Sequence, residues 1–175
     1  MDERQLRAVL ERLNTTGCIV TSAFEGQSDG CFISYVVPCS MNPPRLLVLT
    51  SHETLTNNLV ERSGFLAVHP VARGQETWML LFGSTSGREV DKLASLRWKT
   101  GITGAPILDD ALGYIEGHVI ASMDCGDHTA RLVEPVAAGL RDADAVPITT
   151  FELFARGLLS PSAPLGNPWS AFLPR

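Results

Sequence analysis

Basic residues are scarce in this 175-residue chain, where 14 Lys and Arg face 19 Asp and Glu for a formal net charge of −5. Nucleic-acid phosphates need clustered Lys and Arg, so that class of partner is excluded. An anion has to be held by a local nest of donors rather than by the overall field. No apolar run approaches the roughly 20 residues that span a bilayer. The opening Met1-Asp2-Glu3-Arg4-Gln5 is charged, with no apolar secretory core behind it. The four cysteines, Cys18, Cys31, Cys39 and Cys125, show no Cys-x-x-Cys spacing. Reduced thiols in a cytoplasm are therefore expected instead of a disulfide frame. Cys39 has no activating neighbour in the sequence and reads as a small buried filler. His52, His69, His118 and His128 lack the close pairing of a zinc ligand set, so no metal site is expected.

What is present suits one soluble domain. A hydrophobic fraction of 45% and a charged fraction of 19% are ordinary, and the length buries a core without staples. Leu6, Val9, Leu10 and Leu13 recur at helical spacing and predict an amphipathic helix over 2–14, closed by Asn14-Thr15-Thr16-Gly17. Strands are expected over 18–24 and 31–37, with Asp29-Gly30 as the hairpin signal between them. Pro43-Pro44 marks a loop before a strand over 45–50. Ser51 then reads as the N-cap of a helix over 51–62, with Glu53 in its first turn and Gly64 past its end. A strand over 65–71, helices over 75–82 and 90–98, and a long strand pair over 111–123 and 129–140 follow. Residues 1–159 form the domain, and 160–175, rich in Pro, Ser and Gly, form a surface tail. Short strands with helical inserts predict a mainly β fold, a closed antiparallel barrel with peripheral helices.

Five segments occur in an informative order: Ser34 through Pro44; Thr56-Asn57-Asn58-Leu59-Val60 with Ser63-Gly64-Phe65-Leu66-Ala67-Val68; Phe82-Gly83 followed by Ser86-Gly87-Arg88-Glu89-Val90-Asp91-Lys92; Gly104-Ala105-Pro106-Ile107-Leu108 with Tyr114-Ile115-Glu116; and Gly126-Asp127-His128-Thr129. Together they resemble the flavin reductase-like family over residues 15–150, nearest its flavoredoxin and NAD(P)H:flavin oxidoreductase branch. That resemblance implies a split β-barrel of the FMN-binding type. Two segments depart from the pattern. Tyr35-Val36-Val37-Pro38-Cys39 replaces a Ser/Thr run, and Ala130-Arg131-Leu132-Val133-Glu134-Pro135 follows the histidine where the family has an aromatic and a Gly-Glu pair.

A flavin needs donors for its phosphate, polar atoms for its pyrimidine edge and flat or apolar surface for its ring. Thr50, Ser51, Thr54, Thr56 and Asn57 make the densest donor set, at the start of a helix whose free N–H groups favour an anion. The plainer reading of the same residues is a helix cap. Arg88 and Lys92 are candidate cations for the phosphate or the N1–C2 edge; a solvated helix face is their ordinary alternative. Lys92, in the family's Asp-Lys motif, is preferred. Ser34, Tyr35, Val36 and Ser40 are expected beside the ring. Trp78 and Phe82, at i and i+4, read as a packed helix face.

The resemblance places His128 near the ring and the nicotinamide, to orient the dihydropyridine or supply a proton. A turn histidine is the alternative, and hydride transfer itself needs no protein base. The activity implied is hydride transfer from NADH or NADPH to FMN, with FAD as the variant, in a homodimer. Electrons would pass to free flavin, oxygen, a monooxygenase or another redox protein. Three alternatives stand beside it: a tightly bound flavin acting directly on a small organic substrate, a non-enzymatic flavin electron carrier, and a scaffold that has lost its cofactor.

Overall fold

The computed structural model describes residues 2–10 and 12–158, without the side chains of Glu3, Arg4 and Arg7. The boundary at 159 and the tail at 160–175 lie outside the described residues. Helix α1 (Glu3–Leu10) is followed by β1 (Cys18–Phe24), β2 (Gln27–Ile33), β3 (Val36–Met41) and β4 (Pro44–Ser51). Next come α2 (Leu55–Ser63), β5 (Phe65–Pro70), α3 (Glu76–Ser84), β6 (Trp98–Thr100) and β7 (Pro106–Leu108). The long pair β8 (Gly113–Asp124) and β9 (His128–Leu140) precedes the short α4 (Thr150–Ala155). Among the described residues no helix is long and apolar enough to cross a membrane.

Seven strands form one sheet in the order β2-β1-β5-β8-β9-β4-β3, while β6 and β7 pair apart. Every pairing is antiparallel. The two edge strands, β2 and β3, are joined by Ser34-Tyr35 alone, so the sheet has to curl until its edges lie a few residues' reach apart. Packing agrees. Cys31 and Ile33 of β2 share one buried cluster with Leu46 and Val48 of β4, Val133 of β9, Val20 of β1 and Val60 of α2. That cluster is the interior.

β1 is buried almost throughout because both its faces are covered. Val20 points into the interior, whereas Ile19 lies in a second cluster with Met79 and Phe82 of α3, Ile148 and Leu153. Trp78 packs beside that cluster, as the i, i+4 spacing predicts. The hinge between layers is the buried His69, whose Nδ1 meets the Ile19 carbonyl at 3.3 Å while Nε2 accepts from the Leu108 N–H at 3.2 Å. Burial lowers its pKa to about 4, and it is held neutral. Burial also pushes the thiols of Cys18 and Cys31 up to about 12 and about 11, so neither is a nucleophile. All four cysteines are free, but Cys39 is exposed on β3, not the buried filler its neighbours suggested.

Several local expectations are corrected. The β1–β2 turn is Glu25-Gly26, with φ of 48° and 80° and Phe24 opposite Gln27. Two left-handed residues match the twist of a two-residue hairpin. Asp29-Gly30 lies inside β2 instead. The N-cap of α2 is Thr54, whose Oγ1 accepts from Asn57 N at 3.1 Å, because Ser51 is still paired in β4. Glu53 therefore precedes the helix. The helix expected over 90–98 is absent: Asp91 Oδ1 accepts from Leu93 N and Ala94 N, an Asx-type turn that competes with helix, and β6 starts at Trp98. Helix α4, entered by a capping box of Thr149 and Glu152, was not foreseen.

Candidate active site

The C-terminal end of β4 and the start of β9 lie side by side, with Ser51 opposite His128 and Thr50 opposite Thr129. Tyr35, at the seam between β2 and β3, is tied to β4 by Leu49 N donating to its carbonyl at 3.0 Å. Its ring meets the His128 imidazole edge to face, with centroids 5.5 Å apart and planes at 81°. His128 Nδ1 lies 2.7 Å from Asp127 Oδ1. An Nδ1–H donated to that carboxylate leaves Nε2 as the nitrogen available to a ligand. The same hydrogen bond, before any other influence, holds the Asp127 carboxyl below the usual range. His52 braces the arrangement: its Nε2 is 3.0 Å from Thr129 Oγ1, and its N–H donates to the Asp127 carbonyl at 3.0 Å.

Ser51 begins the turn that carries the chain into α2. Its carbonyl accepts from both Thr54 N and Thr54 Oγ1, and its Oγ accepts from Glu53 N. Arg88 reaches the same turn, with Nη1 donating to the Glu53 carbonyl at 2.6 Å. A polar groove of about 270 Å³ is lined by Gly26, Gln27, Ser28, Leu55, Gly87 and Arg88, with the acidic residues Asp29, Glu89 and Asp91 also in its wall. The 51–54 turn thus links the strand end paired with His128 to the start of α2, where Arg88 is hydrogen-bonded to Glu53.

Not every expected residue joins that constellation. Ser34 is half-buried beside Tyr35, and Val36 pairs with Val48. Ser40 is opposite Arg45, at the other end of the β3–β4 hairpin from Ser51. Five residues at about 3.3 Å each put it on the order of 16 Å from Thr50. Lys92 and Thr56 turn inward. The Lys92 ammonium is 1% exposed and sits 3.1 Å from Asp29 Oδ1, while Thr56 Oγ1 donates to Asp29 Oδ2 at 2.7 Å. Both are occupied in a buried network under α2, facing β2 rather than a phosphate at the helix start. Arg88 is the cation left at the groove.

One residue was missed. Arg131 on β9 is 2% exposed, on the strand face it shares with Val133. Its Nη1 donates to Thr50 Oγ1 and its Nη2 to the Asn57 carbonyl at 3.3 Å; Thr50 Oγ1 in turn donates to Asn57 Oδ1 at 2.8 Å. Two members of the expected donor set, Thr50 and Asn57, are therefore organised by a buried guanidinium. The available signal was the break in the family pattern after His128, with a charged residue at an inward strand position.

Comparison with known proteins decides what this geometry belongs to. Residues 10–156 match the family described as flavin reductase like domain. The chain belongs to the flavin reductase-like family. Relatives include the reductase subunit HsaB of a flavin-dependent monooxygenase from Rhodococcus jostii, 30% identical over 128 residues, which are 73% of this chain and 64% of that protein. FMN reductase (NADH) RutF of Ancylobacter novellus is 29% identical over 78% of this chain and 75% of its own length. Among solved structures, a nitrilotriacetate monooxygenase component B homolog from Mycobacterium thermoresistibile superposes with a TM-score of 0.76 at 28% identity, covering 85% of this chain and 82% of that one.

Proposed function

We propose that this protein is an NAD(P)H:flavin oxidoreductase that binds FMN, or FAD in its place, at the site running from Tyr35 and His128 to the start of α2. The observation that carries the reading is the arrangement within a chain of this family of a Tyr35–His128 pair beside the end of β4 and, after the 51–54 turn, a helix start to which Arg88 is bonded. When bound, the flavin accepts hydride from the reduced nicotinamide and hands electrons on. The protein's own part is placement and electrostatics. The N–H groups of Leu55 and Thr56 at the start of α2, together with Arg88, would hold the anionic end. Tyr35 offers flat surface to the ring. His128, oriented through Nδ1 by Asp127, would use Nε2 to align the dihydropyridine or manage a proton at the flavin ring.

The fold reading is a split barrel, with its open seam between β2 and β3. A homodimer is part of the proposal, supported by apolar side chains left exposed on β3 and at the β8 end, including Val37, Met41 and Met123. A relative named as the reductase subunit of a flavin-dependent monooxygenase supports such a monooxygenase as the electron acceptor; a cytoplasmic setting is part of the proposal. The test is NADH and NADPH oxidation with FMN or FAD in excess. Multiple turnovers of free flavin support the reading. Bound flavin without turnover moves the function to a direct-substrate enzyme or an electron carrier.

A further inference from the structure

Arg131 is a buried charge that has no counter-ion in direct contact among the described residues. A guanidinium that is 2% exposed has lost most of its hydration, and such charges are tolerated when paired. Among the described residues, none of the ion pairs involves Arg131. Its hydrogen bonds go to a hydroxyl, Thr50 Oγ1, and a backbone carbonyl, that of Asn57. Glu61, exposed on α2, acts on it only at longer range. The other buried charges under α2 are already neutralised, since Lys92 and Asp29 face each other at 3.1 Å. One full positive charge is left beneath the first turn of α2, on the inner side of the helix end that faces the groove beside Leu55 and Arg88. Asn57 joins the two: its carbonyl takes the Arg131 donor, and its N–H is held by the Thr54 cap.

We infer that Arg131 is a specificity-determining and positioning residue, selecting flavins that carry a phosphate through a buried charge behind the helix N-terminus. This rests on flavin binding at α2, and it adds which flavins are retained and by what group. The guanidinium does not touch the ligand. It acts through Thr50 and Asn57, whose geometry it fixes, and through its field, which reinforces the helix dipole in a poorly screened region. A dianionic phosphate gains from that field and a neutral ribityl chain does not.

The experiment is fluorescence titration of the full chain with FMN and with riboflavin, for the wild type, Arg131→Met and Arg131→Lys. Wild type is expected to prefer FMN by at least about tenfold, because a dianion gains from the field of a poorly screened charge and a neutral ribityl chain does not. Arg131→Met is expected to lose about tenfold for FMN and less than about threefold for riboflavin, which merges the two affinities. Arg131→Lys keeps the charge and is expected to retain most of the preference. Equal loss for both flavins in Arg131→Met would reduce Arg131 to a structural brace and overturn the inference. If Arg131→Met does not fold, Arg131→Lys and the wild-type ratio decide: equal wild-type affinities, or a preference abolished by lysine, overturn it. A wild type that binds neither flavin defeats the functional reading itself.

Discussion

The buried network of Lys92, Asp29 and Thr56 makes a quantitative prediction that also separates structure from ligand binding. Asp29 is 3% exposed, its Oδ1 facing the Lys92 ammonium at 3.1 Å and its Oδ2 the Thr56 hydroxyl at 2.7 Å. A Cβ added at Gly87 would come within 2.3 Å of Asp29 Oδ1, so the loop carrying Lys92 packs directly on this carboxylate. Asp29→Asn leaves an ammonium buried without its counter-charge, which costs about 3–5 kcal/mol. In a domain of this size that lowers Tm by roughly 10 °C. Removing both charges with Asp29→Leu and Lys92→Met together is expected to recover most of the loss, because the desolvation cost disappears with the attraction. Urea unfolding of the single and double variants measures both. A loss below about 1 kcal/mol for Asp29→Asn would refute the energetic argument. Lys92→Met, measured where it remains folded, is expected to change FMN affinity less than about threefold, because the ammonium is spent inside. A loss of more than about tenfold in a folded protein would return Lys92 to the phosphate.

Other outcomes follow from single groups. His69 is held at about 4, below the 6.5 of a free imidazole, so its contribution is complete above pH 6.5 and is lost as the pH falls toward 4. At about 1.4 kcal/mol per pH unit that window is worth about 3 kcal/mol, and urea unfolding at pH 7 and 4.5 should show it in wild type and not in His69→Gln. His128→Ala should slow flavin reduction more than it weakens flavin binding, in stopped-flow and fluorescence measurements; the reverse pattern would remove it from the reacting end. Asp127→Asn, which no longer holds Nδ1–H as a carboxylate, should lower kcat by about tenfold with flavin affinity nearly unchanged. Thr54→Ala removes the cap of α2 and should cost about 1 kcal/mol by thermal unfolding, whereas Ser51→Ala should cost less.

What was legible in the sequence was local. Gly64 ends α2 with φ of 73°, a conformation glycine adopts freely, and it stands after the helix as read. The long β8–β9 pair and the Trp78–Phe82 face likewise follow from patterns within a few residues. What was not legible depended on distant partners. Asp29-Gly30 carries a stronger turn signal than Glu25-Gly26, and only the register and the ion pair to Lys92 draw it into β2. Ser51 and Thr54 are equally good caps in sequence; pairing of Ser51 with His128 keeps the first in the sheet. Arg131 is a lone charge in an apolar strand until β4 and α2 enclose it. The family pattern pointed to the candidate site at Tyr35 and His128, while the burial of Lys92 and Arg131 changes which charges stand free around it.

The central claim is most directly tested by the visible spectrum of the purified protein with FMN under anaerobic conditions, recorded before and after NADH and then NADPH. The account predicts a perturbed flavin band that bleaches with at least one nucleotide faster than free FMN does. A flavin band unchanged by the protein, or bound flavin that stays oxidised with both nucleotides, would contradict it.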